Sequence, residues 1–303
     1  MPYRHYENGN EYLISRTTEI SNSYECEMYA KLNQEIKNKM RKNKEEKIIV
    51  RGNVAALRGT IVHHRIESFL SETIDKSKPS FSFDLSQQKL YKKIRANKER
   101  YQFFINSINN SYDNFTRFYI DHKEKFIPLF LEKKIVIINR KEDGTIDEKR
   151  SVAGTIDCIA KWKTPKGWRT VIVDWKTSKQ SLLSHFIQLS GYYWELTNHP
   201  FYKEMAKMGI LEKYPYWFEE GKPVALCGIF GGRNYELKKY KVDINKWLKA
   251  WEIHNNPRSL SYNHGSREIG VKGLCIVCDR VNYCPEFSFH DASFNDLPSI
   301  KKD

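Results

Sequence analysis

The triplet Asp174-Trp175-Lys176 sets an acid and an amine two positions apart. On a strand, the period-2 pleat sends both side chains to one face and Trp175 to the other. A second acid, Asp157, closes the run Gly154-Thr155-Ile156 on what reads as the preceding strand. Carboxylates from adjacent strands offer the hard oxygen donors that Mg²⁺ or Mn²⁺ prefers. A lysine beside such a cation can orient or deprotonate water and stabilise charge developing on a phosphate. The triplet also suits a solvated strand end, so its neighbours decide between the two readings.

Those neighbours are helical. His63 and Glu67 stand at i, i+4 and share a helix face, as do Gln188 and Tyr192. A Gln and a Tyr on an otherwise apolar helix need hydrogen-bond partners, either a buried network or a nucleic-acid backbone. The six cysteines form a separate constellation. Cys275 and Cys278 have C-x-x-C spacing and Cys284 follows before Pro285, which is enough to hold one metal centre with a fourth ligand. That ligand is either nearby His290, giving a zinc Cys₃His site, or the distant Cys26. Cys158 and Cys227 sit among apolar residues and read as ordinary buried thiols.

The elements that must place these groups follow from periodicity and punctuation. A helix is expected from about residue 17 to 47, ending in the basic run Lys37-Asn38-Lys39-Met40-Arg41-Lys42-Asn43-Lys44, which reads as a solvated face. A second helix is expected from about Arg58 to Ser71. Residues 83–125 look helical and resemble an insertion or lid. Three strands follow, Phe130 to Asn139, Ser151 to Trp162 and Arg169 to Trp175, joined by short turns that imply antiparallel hairpins. A helix from about Leu182 to Leu196, a strand from Ala225 to Phe230, and a helix capped by Asp243 complete the pattern. Helix, three strands, helix and strand argue for an α/β domain built on one central sheet.

Composition sets the outer limits. The chain has 303 residues, 40% of them hydrophobic, which excludes an intrinsically disordered protein. No apolar run approaches the ~18–20 residues of a membrane helix, and the start of the chain lacks the apolar core of a secretory signal. The expectation is a soluble cytoplasmic protein with no membrane partner. A formal net charge of +14 and 14% aromatic residues suit a polyanion whose bases can stack.

The series Gly59-Thr60-Ile61-Val62-His63-x3-Glu67, Gly154-Thr155-Ile156-Asp157, Asp174-Trp175-Lys176 and Gln188-x3-Tyr192 resembles the motif series of RecB-type PD-(D/E)XK nucleases in order, element type and spacing. That resemblance spans roughly residues 55–235. It implies a restriction-endonuclease-like α/β core, a central mixed sheet flanked by helices. It further implies that His63, Asp157 and Asp174 ligate Mg²⁺ or Mn²⁺ with the backbone carbonyl of Trp175. Lys176 would be the catalytic lysine, with Gln188 and Tyr192 assisting substrate positioning. Glu132 falls where such nucleases often carry another acid, and it reads equally well as a solvated strand residue.

One amino-terminal cysteine and a carboxy-terminal C-x2-C-x5-C-P around such a core are similar to the iron–sulfur nucleases, the CRISPR-associated Cas-four family exonucleases and the AddB nuclease domain. This resemblance implies a 4Fe-4S cluster on Cys26, Cys275, Cys278 and Cys284, stapling the chain ends into a subdomain. The expected organisation is a helical part over 1–54, a nuclease core over 55–245 with an insertion at about 72–127, and a helix with the cysteine cluster over 246–303. The implied activity is exonucleolytic hydrolysis of single-stranded DNA ends, with protein partners in DNA repair, replication or CRISPR adaptation. Residues 72–127 and 199–224 exceed the minimal family core and would shape a DNA channel or contact a partner. Two alternatives stand beside it: a non-catalytic DNA-binding or spacer-acquisition subunit, and a zinc-stabilised nucleic-acid adaptor.

Overall fold

The protein is described by a computed structural model over residues 2–25, 38, 54–74, 89–179, 182–208, 218–219 and 222–256. Cys26, Cys275, Cys278, Cys284 and His290 lie outside the described residues, as does all of the basic run except residue 38.

The chain opens with a β-hairpin, β1 (Tyr3–Glu7) and β2 (Asn10–Arg16), where the sequence reading expects a helical segment over 1–54. Its cause is Asn8-Gly9, whose φ values of 49° and 75° suit a tight turn matched to the strand twist. Helix α1 (Thr17–Glu25) follows directly. Helix α2 (Val54–Ile74) buries Leu57, Ile61, Val62, Ile66 and Leu70 along one stripe. Next come α3 (Lys89–Arg95) and the long α4 (Lys98–His122), whose N-cap Asn97 accepts a bond from the Arg100 amide.

Strands β3 (Phe126–Ile137), β4 (Val152–Thr164) and β5 (Gly167–Lys176) form the expected antiparallel trio. Helix α5 (Leu183–Asn198) ends ahead of Pro200, which also begins a short α6 (Pro200–Lys207) with His199 as its cap. Beyond the two-residue β6 (Phe218–Glu219), β7 (Lys222–Ile229) lies parallel to β5. Strand β8 (Glu236–Lys241), absent from the sequence reading, adds an antiparallel edge to β7. Helix α7 (Ile244–Asn255) closes the described fold, capped by Asp243 as expected.

The result is an eight-stranded mixed sheet, with β2 joining it in parallel at Ser15↔Val152. One sheet face is covered by α2 and α4, whose Ile66, Leu70, Phe115 and Phe118 enclose Trp175 and Phe230. The other is covered by α5, whose Leu189 and Leu196 pack on Ile156, Ile172 and Ile229. Helix α4 is therefore core. The lid reading fails because Phe104, Ile108, Phe115 and Phe118 are buried, and because Asn114 donates to the carbonyls of Phe230 and Gly232.

A carboxylate, imidazole and lysine site at the open end of the β4–β5 pair

Pairing between β4 and β5 stops at Cys158↔Val173, just before the two acids. Beyond that point a side chain replaces the ladder: Asp157 Oδ2 accepts a 2.7 Å bond from the Trp175 amide. The alternation of β4 also breaks here. Ile156 and Cys158 have the same parity, yet they pack in cores on opposite faces of the sheet. On the facing strand Glu132, between the paired Leu131 and Lys133, has φ of 45°, a left-handed backbone rare for a residue with a side chain. Such irregularities re-aim side chains beside functional sites.

Helix α2 brings in His63. Arg58 on the same helix donates to the Thr177 carbonyl at 2.7 Å, seating α2 on the end of β5. His63 Nε2 lies 2.9 Å from the Trp175 carbonyl oxygen. A carbonyl only accepts, so Nε2 carries a proton and Nδ1 faces the acids. Nδ1 is 3.5 Å from Asp157 Oδ1 and 3.8 Å from Glu132 Oε1. Burial alone would lower the His63 pKa, but Asp157 and then Glu132 overcome it and hold the ring up at about 10. Burial raises Asp157, yet the His63 charge and bond bring it below its ordinary value. Glu132 is raised, chiefly by burial.

As the pleat requires, Asp174 and Lys176 share the α5 face. Lys176 Nζ donates to Asp174 Oδ1 and to Gln188 Oε1, both at 2.9 Å. Gln188 Nε2 donates onward to the Tyr192 hydroxyl at 2.6 Å. One direction of donation therefore runs from the ammonium through Gln188 to Tyr192, which fixes the amide's orientation. Burial pushes Asp174 up to about 7, with Asp157 adding to the rise and Lys176 opposing it. Burial would lower Lys176, but Asp174 and Asp157 keep it above its usual value.

The structure brings His63, Asp157, Asp174, Trp175, Lys176, Gln188 and Tyr192 together at one end of the sheet. Glu67 stands at the margin: its carboxylate pairs with His64 at 3.4 Å, and its charge adds to the rise of Glu132. Cys158 and Cys227 are free and buried, as expected. Sequence reasoning passed over Arg58, whose pKa burial lowers, because a lone arginine in a helix carries no local signal.

His63, Glu132 and Asp157 each offer a donor atom within 4.8 Å of the others. Lys176 Nζ also lies 2.8 Å from Asp174 Oδ2, so both oxygens of that buried carboxylate face the ammonium. One imidazole and the hard carboxylate oxygens beside it are a donor set that fits Mg²⁺ or Mn²⁺. A lysine fixed beside such donors is the equipment of metal-assisted phosphodiester hydrolysis. The family model of the PD-(D/E)XK nuclease superfamily matches residues 21–285, and the chain belongs to that superfamily. Among solved structures, the chain is similar to one titled "Crystal structure of SSO0001" at 12% identity and a TM-score of 0.33, over 76% of this chain and 98% of that one. A search of curated proteins finds no match. No helix among the described residues is long and apolar enough to cross a membrane.

Proposed function

We propose that the protein is a RecB-type, Mg²⁺- or Mn²⁺-dependent deoxyribonuclease, chiefly an exonuclease on single-stranded DNA ends, with a structural 4Fe-4S cluster. The observation that carries the catalytic reading is the Lys176 ammonium, held by Asp174 and Gln188 beside the His63, Glu132 and Asp157 donors. His63 through Nδ1, Asp157 and Asp174 would hold the cation, with Glu132 as a further ligand; the Trp175 carbonyl, bonded to Nε2 on the far side of the ring, would join them only if the ring turned. When bound, the cation supplies positive charge against phosphate oxygens and acidifies water. Lys176 orients the attacking water and neutralises charge on the phosphate. Gln188, steadied by Tyr192, keeps Nζ at its post. Asp157, accepting from the Trp175 amide, holds the strand end in shape.

The cluster reading draws support from the chain ends. Ser23, three residues before Cys26, shares a 2.8 Å bond with His254 Nδ1, and Ser15 lies 2.9 Å from His254 Nε2. Thr17 and Trp247 both crowd Gly191, so α1 and α7 run side by side in the same direction. Their carboxy ends therefore lead away from one place, which suits Cys26 and the three later cysteines as ligands of one cluster.

End-labelled linear single-stranded DNA and its circular counterpart, digested with Mg²⁺ or Mn²⁺, test the substrate assignment. Degradation of the linear form with the circle spared is expected. Equal cleavage of both would make the enzyme an endonuclease, and cleavage of neither would favour the DNA-binding subunit reading.

A further inference from the structure

Glu195 lies on the same stripe of α5 as Gln188 and Tyr192, at i, i+4 and i+7, and is fully buried. Its Oε1 is 2.6 Å from Thr17 Oγ1, and its Oε2 has no hydrogen-bond partner among the described residues. Thr17 Oγ1 is also within 3.3 Å of the Ala153 carbonyl oxygen. The hydroxyl has one proton, and a carbonyl can only accept. An ionised Glu195 would take that proton through Oε1 and leave Oε2 a buried, charged oxygen with no donor, a conflict between charge and burial. A neutral carboxyl removes the conflict: Glu195 donates to Thr17, and Thr17 donates to Ala153.

The surroundings are shaped for this pair. A Cβ added to Gly154 would stand 2.3 Å from Glu195 Oε2 and 2.4 Å from Thr17 Oγ1. The glycine that opens the Gly154–Asp157 run is thus the space in which acid and hydroxyl meet. We propose that Glu195 is a neutral acid that ties α5 to α1 and β4, and is thereby a positioning residue for Lys176 through Tyr192 and Gln188. The link to Lys176 rests on the nuclease reading; the protonation state does not.

Burial pushes Glu195 up to about 8 against the Thr17 bond. Tyr192, the titratable side chain that feels its charge, is itself held protonated by burial. Thr17 of α1, Gly154 of β4, and Trp247 of α7 against the adjacent Gly191 bring no charge. The folded value exceeds the ordinary 4.5, so this proton contributes stability that is full below about 4.5 and lost as pH rises through about 8.

The test compares wild type with Glu195→Gln, which donates at every pH. Between about pH 5 and 8 the wild-type melting midpoint should fall relative to that of Glu195→Gln, and level off above. Near pH 6 the infrared difference spectrum of wild type minus Glu195→Gln should contain a protonated-carboxyl carbonyl band, the contribution of Asp174 cancelling between the two. Should that variant fail to fold, Thr17→Val replaces it: the same band should shift as the acid loses its acceptor. In cleavage assays Glu195→Gln should retain kcat further into alkali, with KM unchanged. Parallel melting profiles and no acid band in the difference spectrum would overturn the neutral-acid assignment. Superimposable kcat profiles would overturn the positioning role alone. Absence of cleavage by wild type would sink the nuclease reading while melting and infrared data still decide the protonation of Glu195.

Discussion

His63 is held from both ring nitrogens, by the Trp175 carbonyl on one side and by Asp157 and Glu132 on the other. Without a cation, the charge of those acids draws a proton onto the ring; a cation bound as proposed would take the same lone pair instead. Asp174, held at about 7, adds a second exchangeable proton. Titrating the protein with Mn²⁺ in weakly buffered solution near pH 7 should therefore release protons, and Mn²⁺ affinity should rise with pH. His63→Ala should shrink the release, whereas pH-independent binding would contradict the donor set. Gly154 belongs to this scale too. Gly154→Ala forces a methyl group into the Thr17–Glu195 pair, and overpacking of this kind should cost about 1–3 kcal/mol by urea denaturation. The motif glycine was legible in the sequence, but its reason was not, because Thr17 and Glu195 reach it only through the fold.

Helix α4 shows what an element contributes when its sequence motif is silent. Phe118 is fully buried against Trp175, Phe126 and Phe230, so Phe118→Ala should destabilise the protein by about 3–5 kcal/mol. Phe103, exposed on the same helix, should tolerate Ser with a change within about 0.5 kcal/mol. Equal effects in thermal unfolding would mean that α4 is peripheral after all. The buried stripe of Phe104, Ile108, Phe115 and Phe118 was present in the sequence. The Lys, Asn and aromatic content of residues 83–125 taken together obscured it. The hairpin is equally legible in Asn8-Gly9, although none of the site motifs lies in it. Strand β8 was harder to find: as a lysine-rich edge it shows no apolar alternation, and charged edges are how sheets resist pairing with other chains. The β3–β4–β5 trio and α5 were readable because their buried faces leave continuous or periodic apolar runs. The end of ladder pairing at Cys158↔Val173 and the left-handed Glu132 depend on long-range packing, and no local pattern announces them.

At the scale of the whole molecule, a +14 chain should bind single-stranded DNA through phosphate contacts that release counterions, so affinity should fall steeply with salt. The cluster proposed on Cys26, Cys275, Cys278 and Cys284 should make the anaerobically purified protein brown. Cys275→Ser should bleach it and lower its melting midpoint; a colourless wild type with stoichiometric zinc would move the cysteines to a zinc site. Neither result bears on the catalytic centre, because hydrolysis requires no redox step. That centre is tested most directly by Asp174→Ala beside wild type on end-labelled single-stranded DNA, with Mg²⁺ or Mn²⁺ and a parallel binding measurement. The structure predicts that the variant loses cleavage while binding stays within a few-fold of wild type. A variant that still cleaves at the wild-type rate would contradict the assignment of the site.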